Sequence, residues 1–347
     1  MADISDPEQP TSLPPAVALR QLSTGFWVSQ AIAVVANLGI ADCLQDGPKT
    51  GEELARATGT HAGALYRLLR AVASVGVFAE DADGRFSLTP VAALLRRDHP
   101  QSWRAAAIMS GEAWTWRAWG ALAYSVKTGK PAFEHIFGME FDAYLAQHAD
   151  AADLFQTFMN VATAEEALAV TAAYDFSGCR TVVDIGGGRG ALLAAILRAY
   201  PHLRGILFDA PHVVAEADGF LQAQGIGERC EVIGGDFFDS VPDGGDVYIL
   251  KWILVSWDDE RSVAILRNCR RVLPAHGRVL VIERLIPPGN APFFGKIADL
   301  NLLVMYQGRH RTEAEYRTLF ARADLALSRI IPTNSPTEFS VIEGVPH

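Results

Sequence analysis

The sequence predicts an α/β protein with two domains: a doubly wound, mostly parallel sheet in the C-terminal half, and a mainly helical N-terminal half with a winged-helix outline. Its 347 residues, half of them hydrophobic, are enough to bury two cores. Apolar residues recur at helical spacing up to about residue 173, whereas short apolar runs alternate with helical stretches beyond Tyr174. The pattern changes near residues 165–180, where we expect the domain boundary.

We expect no targeting signal at the start of this sequence. Residues 1–15 are acidic and contain prolines, without a basic start or a long apolar run. This composition is typical of a flexible N-terminus and not of a signal peptide or anchor, so we expect a cytoplasmic protein. The four cysteines lack the spacing of a metal site or a disulfide framework, and we expect reduced thiols at Cys43, Cys179, Cys230 and Cys269.

The overall charge limits the choice of partner. A net charge of −10 disfavours binding to nucleic acid or to an anionic membrane surface. We therefore expect a small organic substrate, no nucleic acid and no membrane.

Residues 16–105 have the outline of a winged-helix domain. Two short helices are predicted at residues 49–58 and 61–75, and a hairpin at residues 77–88. DNA binding would need a basic recognition helix, but the first 100 residues hold eight Lys and Arg against eleven Asp and Glu. We expect this domain to serve packing or dimerisation.

Residues 106–175 are predicted to form a helical connecting region that contributes to a substrate pocket. In the overlapping segment 103–119, the spacing of Glu112, Trp116 and Trp119 places them on one helical face. Core packing is the preferred interpretation of these tryptophans, and a pocket wall is the alternative.

Residues 176–347 are predicted to form the sheet domain. Five strands alternate with helices, which indicates a parallel sheet, at residues 181–185, 205–209, 230–233, 246–251 and 278–283. Two further runs, at residues 325–332 and 338–343, are joined by a segment too short for a helical crossover. We expect these two to pair antiparallel.

The strongest local signal is the glycine loop of residues 186–190, between a hydrophobic strand and a helix. Glycines let a ligand approach the backbone closely. However, Gly186, Gly188 and Ala191 also satisfy the dinucleotide fingerprint, and Asp209 stands where a ribose-binding acid is expected. A nicotinamide-dependent oxidoreductase is therefore an alternative at this point.

Side chains at three successive strand ends favour a nucleoside that carries an amino acid. Asp184, just before the glycines, is placed to face an ammonium group or water. Asp209 is suited to accept both ribose hydroxyls, whereas Asp236 suits the adenine amine and Phe237 the ring face. The alternative is that the later acids cap helices and that Phe237 belongs to the core. Because ligands bind outside the carboxyl ends of such strands, we prefer the binding interpretation.

Over nearly its whole length the chain resembles the caffeic acid O-methyltransferase-like family of plants and bacteria, which methylates small molecules with S-adenosylmethionine. The resemblance rests on the motifs at residues 174–176, 184–190, 209–211, 235–238, 250–251, 257–260 and 311–312. It implies an N-terminal winged-helix dimerisation domain, a seven-stranded Rossmann-like methyltransferase domain, a homodimer and no metal.

The resemblance also implies which residues bind the donor and the acceptor. S-adenosylmethionine, released as S-adenosylhomocysteine, would be contacted by Asp184, Gly186, Gly187, Gly188, Asp209, Asp236, Phe237, Lys251 and Trp257. The acceptor would be a small aromatic or polyketide-like metabolite. Its binding site would be lined by Phe155, Met159, Val255, Asn301 and Met305. Both methionines suit the core equally well.

The sequence departs from the family at the general base. The family usually has His-Asp-Trp after Leu-Lys, with the histidine as base, but Val255 stands at that position here. His310 replaces the glutamate that commonly supports the base, whereas Glu283 at a strand end remains. We take His310 and Glu283 as the candidate catalytic residues. Methyl transfer depends mainly on alignment and desolvation, so a base is helpful but not obligatory, and the loss of the histidine need not end activity.

Three hypotheses follow from the missing histidine. In the first, His310 is the base, kept neutral by the charges of Arg309 and Arg311, and its alternative is a solvated loop residue. In the second, the acceptor is already acidic or so well held that proximity suffices, as in the anthracycline-type members that the chain resembles. In the third, the cofactor serves only as a scaffold and the reaction is not methylation.

The leading prediction is a homodimeric, metal-independent O-methyltransferase of secondary metabolism. An oxidoreductase and a catalytically silent regulatory protein are the alternatives from other functional classes.

Overall fold

The computed structural model describes residues 13–215, 217–335 and 338–347. They form two compact units, one that ends at Trp116 and one that begins at Arg117. Most of the predicted flexible stretch of residues 1–15 lies outside the described residues. The domain limits at residues 105 and 175 remain predictions. Among the described helices, none combines the length and apolar character needed to span a membrane.

The first unit is helical and carries a three-stranded sheet of order β1-β3-β2, in agreement with the winged-helix outline. Helix α4 begins with a capping box, in which the Glu53 amide donates to Thr50 Oγ1 and the Thr50 amide to Glu53 Oε2. The elements are α1 (Pro15–Ser23), α2 (Gly25–Asn37), α3 (Ile40–Cys43), β1 (Lys49–Thr50), α4 (Gly51–Thr58), α5 (Ala62–Ala73), β2 (Phe78–Glu80), β3 (Arg85–Leu88), α6 (Pro90–Ala93), α7 (Arg104–Gly111) and α8 (Ala113–Gly120), which continues into the second unit.

Segment 103–119 is two helices and not the single helical face that was predicted. Helix α7 ends at Gly111, and Glu112 has an extended backbone with ψ 145° before α8 begins. A Cβ on Gly111 would lie 2.3 Å from the Cβ of Ala33, so α7 packs closely on α2 at this point. Trp116 and Trp119 therefore share α8, and Glu112 is not part of their face.

Helices α1 and α2 expose large apolar side chains. Leu22 and Trp27 are 80% and 64% exposed, and Leu19 and Phe26 are exposed beside them in the sequence. An apolar surface of this kind marks an interaction site more often than a solvated face.

The second unit contains the larger sheet. Its helices are α9 (Leu122–Thr128), α10 (Ala132–Phe137), α11 (Phe141–Gln147), α12 (Ala149–Ala173), α13 (Ala191–Ala199), α14 (Pro211–Val214), α15 (Ala217–Ala223), α16 (Asp259–Val272), α17 (Phe294–Met305) and α18 (Glu313–Arg322). Its strands are β4 (Thr181–Ile185), β5 (Arg204–Asp209), β6 (Cys230–Gly234), β7 (Val247–Lys251), β8 (Arg278–Arg284), β9 (Leu325–Pro332) and β10 (Phe339–Pro346).

The seven strands have the order β6-β5-β4-β7-β8-β10-β9. The first five are parallel, and β10 pairs antiparallel with both β8 and β9, which confirms the predicted mixed sheet. Helices α12 and α13 cover one face, and α16 and α18 cover the other. The first four residues of β7 are apolar, as expected of a strand buried on both faces.

The topology creates a crevice at one edge of this sheet. The chain leaves β4 toward β5 on one side and later returns to β7 on the other side. Such a change of direction opens a space outside the carboxyl ends of the strands, where ligands of doubly wound sheets bind. The predicted donor-binding residues lie at or just after the ends of β4, β5, β6 and β7 at this edge.

Candidate active site

The glycine loop after β4 is too crowded for side chains on its inner face. A Cβ on Gly186, whose φ is +66°, would lie 2.3 Å from Ile253 Cδ1. A Cβ on Gly187 would lie 2.6 Å from Asp184 Oδ2 and from Leu207 Cδ1. Space around Gly188 is open, with no atom within 4 Å of a Cβ built there. The loop therefore offers bare backbone to a ligand.

Asp184 is the most deeply buried of the predicted donor-binding residues. Its side chain is 2% exposed, and Oδ2 has no hydrogen-bond partner among the described residues. Burial raises the pKa of this carboxyl to about 7, while Lys251 opposes the shift and Asp209 adds to it. A buried carboxylate oxygen without a partner fits a ligand that brings a hydrogen-bond donor or a positive charge.

Asp209 has both carboxylate oxygens held by backbone amides. Its Oδ2 accepts the Gly188 amide at 2.8 Å, and its Oδ1 accepts the Ala210 amide at 2.7 Å. Each oxygen of a carboxylate has a second acceptor site, so this fixed group can still receive a pair of ribose hydroxyls. The glycine loop and the end of β5 are thereby tied to each other.

Asp236 and Phe237 lie after β6. The Asp236 carboxylate accepts the Phe238 amide at 2.8 Å, so it shapes its own turn, and it remains exposed. No described helix begins between β6 and β7, so Asp236 is not the helix cap of the alternative interpretation. The half-buried Phe237 ring lies 6.3 Å from the Trp257 ring. Asn268 Nδ2 donates to the carbonyls of both Phe237 and Phe238 and so holds this loop. Sequence reasoning did not find Asn268.

Lys251 ends β7 and points into charged surroundings. Its Nζ lies 3.0 Å from Glu166 Oε2 and donates to Thr163 Oγ1 at 3.2 Å. Only 10% of the lysine side chain is exposed. Glu166 and Thr163, both on α12, were not among the predicted site residues, although they share one face of the helix.

Trp257 lies at the end of the loop that follows β7. Its ring packs edge-on against Phe238 at 4.9 Å, and the Arg261 guanidinium lies 5.3 Å from its centre. Its carbonyl accepts Arg311 Nη2 at 2.7 Å. The backbone at Trp257 is therefore fixed from the far side of the loop.

Arg311 anchors that loop from within the core. It is fully buried and donates to the carbonyls of Leu254 and Trp257, to Asp259 Oδ1 and to Ser262 Oγ. A guanidinium has five donors in a fixed plane, which suits this set of acceptors. Arg311 therefore fixes the segment that contains Val255.

Glu283, at the end of β8, also supports this segment. Its Oε1 accepts the Val255 amide at 2.8 Å, and its Oε2 accepts the Tyr316 hydroxyl. Burial raises the pKa of Glu283 to about 7, against the lowering effects of these hydrogen bonds and of Arg311. Both oxygens of the carboxylate thus contact the protein itself.

Val255, at the position where a histidine was expected from the resemblance, is buried. Its carbonyl accepts the Arg309 amide at 2.8 Å. A Cβ on Gly308 would lie 1.8 Å from the same carbonyl oxygen, so only glycine fits there. The backbone at Gly308 and Arg309 therefore packs against Val255, and His310 is the next residue in the chain.

His310 is buried with an unoccupied acceptor. The residue is only 8% exposed, and its ring atom Nδ1 has no hydrogen-bond partner among the described residues. Its backbone amide donates to Asp299 Oδ1 at 2.6 Å. Burial lowers the pKa of His310 to about 4, and Arg284 and Arg311 add to the effect. The solvated-loop alternative is therefore wrong. The expected influence of Arg309 is also wrong, because that side chain pairs with Asp259 and Glu315 instead.

The predicted acceptor residues lie on α12 and α17. Phe155 and Met159 are half-buried on α12, and the Phe155 ring packs edge-on against Phe141 at 5.4 Å. Met305 is buried on α17, whereas Asn301 is exposed. Their role in binding an acceptor remains a prediction.

Trp119 connects α8 to this region. Its Nε1 donates to Asn301 Oδ1 at 3.0 Å. The indole is a donor only, so this contact turns the Asn301 amide nitrogen away from Trp119. Trp119 thus has a polar contact with a predicted acceptor residue, which the core-packing interpretation did not anticipate.

Comparisons with known proteins give a consistent result. The chain matches an O-methyltransferase domain over residues 119–326 and an O-methyltransferase dimerisation domain over residues 20–98. It is 50% identical to a phenazine O-methyltransferase of Lysobacter antibioticus over 335 residues, 96% of this chain and 97% of the relative. It is 40% identical to a mitomycin biosynthesis 6-O-methyltransferase of Streptomyces lavendulae, over 94% of each chain.

The solved structures agree with these relatives. A methyltransferase of calicheamicin biosynthesis, crystallised with S-adenosylhomocysteine, is 41% identical and superposes with a TM-score of 0.88. The match covers 97% of this chain and 100% of that one.

Proposed function

The chain belongs to the O-methyltransferase family, and on this premise we propose that it methylates a hydroxyl of a small aromatic or polyketide-like metabolite, with His310 as the proton acceptor. It is a methyltransferase that uses S-adenosylmethionine. The nicotinamide-dependent oxidoreductase that the glycine fingerprint left open is not supported, because the relatives and structures that match over the whole chain are methyltransferases.

The donor-binding residues suit this cofactor. When bound, S-adenosylmethionine supplies a methyl group on a positively charged sulfur and becomes S-adenosylhomocysteine. The loop from Gly186 to Gly188 carries no side chains and has open space beside Gly188, and the unpartnered Oδ2 of Asp184 favours the charged end of the molecule. We assign the ribose to Asp209 and the adenine to Asp236 and Phe237.

The observation that carries the proposed proton transfer is the state of His310. Its ring is buried and neutral at physiological pH, because burial lowers its pKa to about 4, and Nδ1 has no hydrogen-bond partner among the described residues. A phenol has an ordinary pKa of about 10, so an acceptor of this kind gains from a nearby base. In the proposal, the His310 imidazole would take the proton of the acceptor hydroxyl, and the cofactor would supply the methyl group.

Glu283 has a different role in the proposal. Because its two oxygens already accept the Val255 amide and the Tyr316 hydroxyl, we assign it to positioning the 254–259 loop. Val255 then presents a small apolar surface at the place where the family usually has its histidine, and the acceptor lies against it.

The oligomeric state is part of the proposal. The chain contains an O-methyltransferase dimerisation domain, which suggests a homodimer. The exposed Leu22 and Trp27 on α1 and α2 support this, because two copies would cover apolar surface that a single copy leaves in water.

An activity assay with a labelled methyl donor tests the proposal. The protein is incubated with labelled S-adenosylmethionine and a panel of hydroxylated aromatic compounds. We expect labelled product and S-adenosylhomocysteine in equal amounts. Binding of S-adenosylhomocysteine without transfer to any compound would favour the hypothesis that the cofactor is only a scaffold.

A further inference from the structure

One face of α12 connects the predicted acceptor residues with the strand ends. Phe155, Met159, Thr163 and Glu166 follow each other at steps of three and four residues, so they share a face. The apolar members lie toward the start of the helix, and the polar members contact Lys251. About 10 Å of helix separates Met159 from Glu166.

Glu166 is unusual because its carboxylate is buried although it lies in the middle of a helix. It is 1% exposed, and its Oε2 lies 3.0 Å from Lys251 Nζ. Its Oε1 has no hydrogen-bond partner among the described residues. Burial of a carboxylate is costly unless both oxygens are satisfied, so the free oxygen indicates a ligand that brings a donor or a positive charge.

Charges of both signs lie around Glu166. Lys251 Nζ and the Arg284 guanidinium lie 5.2 and 5.9 Å from the centre of the Trp252 ring, and both cations lower the pKa of Glu166 against the effect of burial. The Glu166 carboxylate and two cations therefore meet at the ends of β7 and β8. Such a set suits a zwitterion, whose ammonium and carboxylate need opposite partners.

We propose that Glu166 binds the α-ammonium group of the methionine portion of the donor. Lys251 and Arg284 then face the carboxylate end of the same portion. The proposal rests on the donor assignment made above, and it adds a helix from outside the glycine loop to the donor site. The ion pair with Lys251 orients the Glu166 carboxylate and leaves Oε1 for the ligand.

Three ligands distinguish this role from a purely structural one. They are S-adenosylhomocysteine, its deamino analogue that keeps the carboxylate but lacks the ammonium, and 5′-methylthioadenosine, which lacks the whole amino-acid portion. Titration calorimetry measures the Kd of each for the wild type and for Glu166→Gln. Asp153→Asn, an exposed change on the same helix, is the control.

We expect Glu166→Gln to raise the Kd of S-adenosylhomocysteine about tenfold or more, since hydrogen bonds to charged groups are the stronger class. The Kd values of the deamino analogue and of 5′-methylthioadenosine should stay within about twofold of the wild type. Asp153→Asn should change none of the three.

Two results would overturn the proposal. If the deamino analogue loses affinity as well, Glu166 acts through Lys251 or through packing and not on the ammonium. If S-adenosylhomocysteine keeps its affinity in Glu166→Gln, the carboxylate does not contact the ligand. Failure of the wild type to bind any of the three would count against the donor assignment itself.

Discussion

The Val255 amide donates a hydrogen bond of 2.8 Å to Oε1 of the buried Glu283. This contact joins the loop after β7 to the end of β8. A carboxylate that sequence reasoning placed in catalysis is thus engaged with the backbone beside it. The hydrogen bond and the burial of Glu283 both affect how the protein responds to pH.

Replacement of Glu283 by glutamine should flatten the dependence of stability on pH. The pKa of Glu283 is raised to about 7 in the folded protein from an ordinary value of 4.5. Between these values the folded state holds a proton that the unfolded state releases, so the free energy of unfolding falls as pH rises through this window and levels off above it. Urea unfolding at about pH 5 and about pH 7.5 measures the change.

In Glu283→Gln, part of the dependence of stability on pH should remain, because burial raises the pKa of Asp184 to about 7 as well. Glu134→Gln, at an exposed position, is the control and should leave the slope as it is. Equal slopes in wild type and Glu283→Gln would contradict the assigned protonation.

Replacement of His310 by alanine should lower kcat by roughly a hundredfold or more, the usual contribution of a positioned base. Because burial lowers the pKa of His310 to about 4, the base is already neutral across the physiological range. The wild-type rate should therefore show no histidine ionisation near pH 6.5, and should fall only toward the acid end. Initial rates of methyl transfer across this range measure both effects.

The exposed His202 provides the control, and His202→Ala should have wild-type rates. Full turnover by His310→Ala at every pH would end the base hypothesis and leave proximity alone as the explanation.

Replacement of Arg311 by lysine should destabilise the protein although the charge is kept. Lysine cannot reach all four acceptors that Arg311 contacts, among them the Leu254 and Trp257 carbonyls. Each buried acceptor left without a partner costs about 1–3 kcal/mol. Chemical denaturation gives the loss, with Arg317→Lys as the control, because that exposed pair with Glu313 should matter by less than about 0.5 kcal/mol. Equal stabilities of the two variants would show that Arg311 is not an anchor.

Replacement of Gly308 by alanine should displace the segment that carries His310. The new Cβ would lie 1.8 Å from the Val255 carbonyl oxygen, so the backbone has to move. We expect a loss of about 2 kcal/mol or more in the free energy of unfolding, together with a loss of activity. Gly219→Ala, in α15 with no atom within 4 Å of its Cβ, should keep or slightly raise stability. A fully active Gly308→Ala variant would contradict the packing described for Val255.

The sequence predicts the sheet well because its signals are local. Short β-branched runs mark the strands, and the brief connection between β9 and β10 requires an antiparallel pair. The break of the helix at Glu112, in contrast, has no signal in the neighbouring sequence. It depends on the close approach of Gly111 to Ala33, which lies on another helix and has no mark in the sequence.

The site divides in the same way. The glycine loop and Asp209 follow strand ends and can be found from spacing alone. Glu166 and Asn268 cannot, because their partners are distant in the chain and the residues look like ordinary helical positions. Glu283 was found as a carboxylate at a strand end, but its partners depend on how the loop at Val255 folds back.

The position of β10 between β8 and β9 has a consequence during synthesis of the protein. The ribosome makes β9 before β10, yet β9 lies at the edge of the sheet and pairs with β10. Strand β8, made earlier, therefore keeps one edge without a strand partner until residues 339–346 have emerged. An unpaired strand edge is a template for association with other chains, so this sheet is exposed to misassociation until β10 has paired.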